Sequence, residues 1–125
     1  MPESKPNLTG DLKPTSIPHG AWDSFPWEPL PEWGGSKSVI YRSQDGKVAM
    51  GAFRETGKAT LTYPNDEFFI VTSGWIDVKI NGGESFRMTK GDLTFIKKGQ
   101  TVDFVFSDDS ANVAVYIGDE KITMC

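Results

Sequence analysis

From Ser38 to Ile117 the chain alternates apolar and polar residues with a period of two, and Gly, Asp or Asn interrupts the alternation roughly every ten residues. Trp75-Ile76-Asp77-Val78-Lys79-Ile80 is the clearest case, with Ile76, Val78 and Ile80 on one face. The pattern predicts strands at Ser38–Arg42, Lys47–Arg54, Ala59–Tyr63, Glu67–Thr72 and Trp75–Ile80. It predicts four more at Glu84–Met88, Leu93–Ile96, Thr101–Phe106 and Asn112–Ile117. Asp45-Gly46 and Asn81-Gly82 are strong hairpin-turn pairs, because glycine reaches the positive φ that tight turns need. No segment repeats apolar residues at the helical period over three turns. Short, evenly spaced strands of this kind predict an all-β sandwich or barrel, and a small closed barrel abolishes edges and can hold one small ligand.

Residues 1–35 have a different texture. Seven of the eight prolines lie between Pro2 and Pro31, and Trp22, Trp27 and Trp33 are three of the four tryptophans. Proline fixes φ and removes a donor, so this segment is neither a regular helix nor a central strand. It reads as an extended arm, with residues 1–17 mobile and residues 18–35 docked through Trp22, Phe25, Trp27, Leu30 and Trp33. Residues 36–125 form the barrel.

Composition narrows the function. The net charge is −4 and the only basic cluster is Lys97-Lys98, so nothing here neutralises nucleic-acid phosphates. The longest apolar run is Phe68-Phe69-Ile70-Val71, far below the ~20 residues of a membrane-spanning helix. One cysteine, Cys125, excludes an intrachain disulfide, and one histidine, His19, excludes any multi-imidazole metal site within one chain. With no apolar stretch near Met1, the expected location is the cytoplasm.

Two stretches resemble a known family. Glu67-Phe68-Phe69-Ile70-Val71-Thr72-Ser73-Gly74 resembles the end of the first cupin motif, a glutamate, six residues and a glycine. Gly91-Asp92-Leu93-Thr94-Phe95-Ile96-Lys97-Lys98-Gly99 resembles the second motif, and a short hairpin at Asn81-Gly82 separates them. Together with Tyr63-Pro64-Asn65-Asp66 before the glutamate, the pattern is similar to the small single-domain cupins, such as ureidoglycine aminohydrolase and the ethanolamine-utilisation type. The resemblance covers roughly residues 38–118 and implies an antiparallel β-barrel of jelly-roll type.

The departures from the family carry as much information. Metal-binding cupins place two histidines before the glutamate and a third after the last glycine. Here the earlier positions hold Thr60 or Leu61 and Thr62 or Tyr63, the later one holds Val102, and the usual proline is Lys97. Of the four ligands only Glu67 remains, so the expected metal and cofactor complement is none.

If Glu67 faces the lumen as the family implies, period two turns Phe69 and Val71 inward, with Val102 and Phe104 on the opposing strand and Tyr63 at the mouth. Such a pocket is apolar, with one carboxyl and one phenol, and burial would raise the Glu67 pKa toward neutrality. Glu67 is then a candidate acid/base with Tyr63 orienting a substrate; the alternative is that Glu67 bonds backbone amides or pairs with Arg54 or Lys79. Lys97 at the rim and Trp75 as a stacking platform are further candidate ligand contacts, with a solvated turn and packing as their alternatives. Phe68 and Ile70 would face outward, and with the arm tryptophans they predict a homodimer. Three classes stay open: a small-molecule-binding module, a metal-free lyase, isomerase or hydrolase-like enzyme, and an assembly subunit with a closed barrel.

Overall fold

The computed structural model describes Thr15 and residues 17–125. Ten strands form: β1 (Glu28–Leu30), β2 (Gly35–Arg42), β3 (Val48–Arg54), β4 (Gly57–Thr62), β5 (Asp66–Ser73), β6 (Trp75–Ile80), β7 (Ser85–Thr89), β8 (Leu93–Ile96), β9 (Thr101–Phe106) and β10 (Ala111–Ile117). Nine match the strands expected from alternation, most within a residue or two at each end. The tenth is β1, three residues long, which lies in the proline-rich segment. It pairs only with β2 at the sheet edge, where Pro29 leaves no ladder bond unmade on its free side.

The strands pair antiparallel in two sheets, one ordered β1-β2-β3-β10-β5-β8 and the other β4-β9-β6-β7. The expected hydrogen-bonded closure is not what the structure has: the sheets face each other and each keeps two edges. The ladder breaks where the chain changes sheet. Between β5 and β6 that corner is Gly74, at φ 65°, where a Cβ would collide with Ser107 and Asp109. The family motif's glycine is therefore demanded by backbone conformation and by crowding together.

The core lies between the sheets. Val102, Phe104 and Phe106 of β9 and Ile76 and Val78 of β6 meet Phe69 and Val71 of β5, Ala114 and Tyr116 of β10, and Ala49 and Phe53 of β3. Leu30 is 6% exposed within this core, and Trp33 packs on Phe104 and Phe106 with ring centroids 6.5 and 6.1 Å away. At the other chain end Ile122 is buried, and Arg42 holds the carbonyls of Ile122 (3.1 Å) and Cys125 (2.5 Å). The expected mobility of residues 1–17 lies almost wholly outside the described residues.

The outer faces are unlike each other. On the six-stranded sheet Phe68 pairs with Phe95 and Ile70 with Leu93 across β5 and β8, and Leu93, Phe95 and Ile117 are exposed. On the four-stranded sheet the outer face carries Thr60, Asp77, Lys79, Arg87 and Asp103. Among the described residues no helix is long and apolar enough to cross a membrane.

Candidate functional site

Alternation on β5 turns Glu67 inward beside Phe69 and Val71, and its carboxylate is 5% exposed as a residue. Its neighbours are phenols. The Tyr63 hydroxyl donates to Glu67 Oε1 at 2.5 Å, and Tyr116, the residue paired with Glu67 across β10, presents its hydroxyl to the same carboxylate. Burial raises the Glu67 pKa from 4.5 to about 7; the two phenol hydrogen bonds oppose that rise, and a second carboxylate, Glu55, adds to it. The same burial and the same carboxylate push the Tyr63 and Tyr116 hydroxyls upward, so both stay protonated donors. Neither Arg54 nor Lys79 reaches Glu67: Arg54 stacks outside on Trp27 at 4.0 Å, and Lys79 is exposed.

Glu55 is the residue that the sequence reading missed. It sits just past the end of β3, in the short link to β4, and continues the inward phase of Ala49, Gly51 and Phe53. That phase was the available signal. Its carboxylate is enclosed although the residue keeps some exposed surface, and the Asn112 amide donates to it at 2.6 Å. Burial carries its pKa from 4.5 to about 7, partly offset by Asn112.

Beside this pair lies a cavity of about 30 Å³, lined by Glu55, Tyr63, Asn112 and Tyr116 on its polar side. Phe53, Phe69, Ile76, Phe104 and Phe106 form its apolar wall, and Leu30, Trp33, Leu61 and Met124 complete it. Phe104 is the hub of the rings, within 6.5 Å of Tyr63, 6.4 Å of Phe69 and 5.5 Å of Phe106. Both chain ends thus contribute to the wall, through Leu30 and Trp33 from the arm and Met124 from the tail. A volume of this size admits about one water or one small polar head group.

The structure distributes the other candidates. Phe69, Phe104 and Tyr63 line the cavity. Val71 and Val102 face inward but pack away from it, at 1% and 0% exposure. Lys97 follows Ile96, the cross-strand partner of Glu67, but lies in the exposed β8–β9 turn, its backbone N–H bonded to Gln100 Oε1 at 2.9 Å, and is not part of the cavity lining. Trp75 points outward, because its neighbours Ile76 and Val78 take the inner face of β6; its ring is covered by the Arg87 guanidinium at 3.9 Å. The register also decides between the alternative family positions on β4. Leu61 faces Val102 in the interior, while Thr60 and Thr62 face out and bond Asp103 and Thr101. The side chains at the family's ligand positions are therefore Leu61, Tyr63, Glu67 and Val102. His19 is exposed and bonded to the Ile17 carbonyl. Among the described residues no three His, Cys, Asp or Glu side chains stand together as a cation site.

A family model, that of the EutQ-like cupin domain, matches residues 42–110. The chain is similar in structure to an ethanolamine utilization protein Q (EutQ) from Salmonella typhimurium LT2, at 20% identity, covering 93% of this chain and 98% of that one with a TM-score of 0.72. It is similar to the Clostridium difficile EutQ protein, at 17% identity, covering 82% and 87%, TM-score 0.66. It also resembles the KdgF of a Halomonas species, at 14% identity, covering 80% and 92%, TM-score 0.65. No curated protein matches the chain. At these identities the likeness speaks for the fold.

Proposed function

The chain belongs to the EutQ-like cupin domain family, and from that premise we propose that it is a small-molecule-binding cupin whose site is the interior beside Glu67 and Glu55. One observation carries this reading: the Glu55 carboxyl lines an aromatic-walled cavity and a second, Glu67, is enclosed behind two phenols of that lining, with neutral phenol and amide partners. Burying a carboxyl costs free energy that an apolar residue at the same place would avoid. A core built only for stability has no use for two of them.

The donor set does not fit a transition metal. Leucine, valine and a phenol that stays protonated occupy the positions around Glu67, and the carboxylate is held by the two phenols. The reading is accordingly metal-free, and the groups available for chemistry are those two carboxyls and two phenols. Glu67, poised at about 7 by burial, supports a second reading as a general acid/base, with Tyr63 holding the carboxylate in place.

A fragment titration followed by ¹⁵N–¹H NMR tests the first reading on the full chain. Compounds that bind should shift the amides of Phe53, Glu55, Phe69 and Tyr116 together and saturably. A diverse set that leaves all four unmoved would show instead an interior packed shut, as in a subunit serving assembly. Turnover of a bound compound that is lost in Glu67→Gln while binding persists would establish the second reading.

A further inference from the structure

We propose that the ligand of this interior is a small amine in its cationic form, its ammonium group held by Glu55 and its carbon body lying against the aromatic wall, with Glu67 behind the Tyr63 and Tyr116 hydroxyls adding negative charge. The inference rests on reading the interior as the ligand site, and it names the chemical class.

Among the described residues no arginine or lysine side chain bonds either carboxylate. Every arginine near the interior is engaged elsewhere: Arg42 with the tail carbonyls, Arg54 with the outer face of Trp27, and Arg87 with both oxygens of Asp77. Lys37 and Arg42 act on Cys125 at the tail, and Lys98 pairs with Asp119 at the surface. Facing Glu55 and Glu67 from β10, β3 and the β4–β5 link are Tyr116, Asn112, Phe53 and Tyr63, all neutral, and the tail brings the Cys125 thiol, whose pKa is raised by burial, toward Glu67 and Tyr116. A carboxylate held by neutral donors has acceptor capacity left. Asn112 engages only Oε1 of Glu55, so that group can take further N–H donors.

The walls suit the same guest. Ring faces attract a cation through their quadrupole, most strongly where water is excluded. Phe104, Phe106, Trp33 and Tyr116 line the cavity with aromatic rings. An anionic ligand would be repelled by the carboxylates, and a neutral one would bring no countercharge to Glu55. The volume of about 30 Å³ limits the enclosed part to a head group. A longer body would leave past Trp33 and Met124, which are only half-buried, and the unbranched Met124 side chain repacks at small cost. Entry of the cation discharges a proton. A protonated carboxyl gives its proton to solvent and the resulting carboxylate pairs with the ammonium ion, so charge and atoms balance.

The test is an NMR and calorimetric titration of the full-length protein with ethylammonium chloride. Ethanol, sodium propionate and sodium chloride serve as neutral, anionic and salt comparators. Ethylammonium should saturate the shifts of Glu55, Phe104, Asn112 and Tyr116. Its heat should depend on the buffer's ionisation enthalpy in the sense of proton release near neutral pH. Glu55→Gln should weaken binding roughly tenfold and diminish the release, as expected for losing the charged acceptor that lines the cavity. Absence of saturation by ethylammonium overturns the inference, as does binding by Glu55→Gln equal to that of the unaltered chain when its spectrum shows a native fold. Saturation by ethanol with none by ethylammonium overturns it too, while leaving the interior as a ligand site. Silence of these amides toward all four probes and toward the fragment set removes both.

Discussion

Replacing Glu67 by Gln should flatten the dependence of folding stability on pH and raise stability at neutral pH. The Glu67 carboxyl is raised from 4.5 to about 7 in the fold, chiefly by burial. The folded chain therefore binds this proton more tightly than the unfolded chain. The stability that accompanies the protonated group is complete below the unfolded value, is lost as pH rises from 4.5 through about 7, and levels off above that. The gap is worth about 3 kcal/mol, at about 1.4 kcal/mol for each tenfold difference in proton affinity. Between about pH 5 and about pH 8 the wild-type chain should lose about 2–3 kcal/mol through this group, a large share of a small domain's stability. Glutamine keeps the shape and still accepts from Tyr63, but it has no charge to desolvate. The variant should retain only the slope due to Glu55, whose carboxyl is raised to about 7 by its own burial. Urea denaturation over that pH range, with the m-value as a check that the unfolded surface is unchanged, measures the difference. Equal slopes for wild type and variant would refute the account, as would a wild-type stability that climbs with pH.

Three further outcomes are expected. We propose that the outer face of the six-stranded sheet, with exposed Leu93, Phe95 and Ile117, joins two copies of the chain; light scattering should give twice 13.8 kDa, and Phe95→Glu should return it to that value. If the unaltered chain already scatters as a monomer at micromolar concentration, this pairing is wrong. Deleting residues 1–17 should leave the melting temperature nearly unchanged, whereas deleting 1–35 removes Leu30 and Trp33 from the core, and Leu30→Ala alone should cost about 2–4 kcal/mol in a thermal or urea melt. Gly74→Ala should cost more than about 2 kcal/mol, because φ is 65° there and a Cβ would meet Ser107, Asp109 and the Ser110 amide; a variant as stable as wild type would contradict the crowding argument.

Period two in the sequence is enough to place nine strands and, with the turn residues, the hairpins at Gly46 and Gly82, because each depends on residues within a few positions of one another; the family resemblance supplies the inward phase of Glu67, from which period two turns Phe69 inward. The same rule, carried one step past Phe53, turns Glu55 inward, although the alternation pattern ends the strand at Arg54 and Glu55 lies in the link beyond it. What local pattern could not supply was which inward residues meet. Tyr116 reaches Glu67, and Asn112 reaches Glu55, only because β10 lies between β3 and β5 in the six-stranded sheet. Trp75 and Lys97 are candidate contacts by residue type and local position alone, and strand phase and turn position put them at the surface. Closure was likewise a tertiary matter, since the corner at Gly74 sends the chain to the second sheet and leaves the edges unpaired. Alternation says which face a side chain takes; strand order, set by contacts between residues far apart in the chain, says what it finds there.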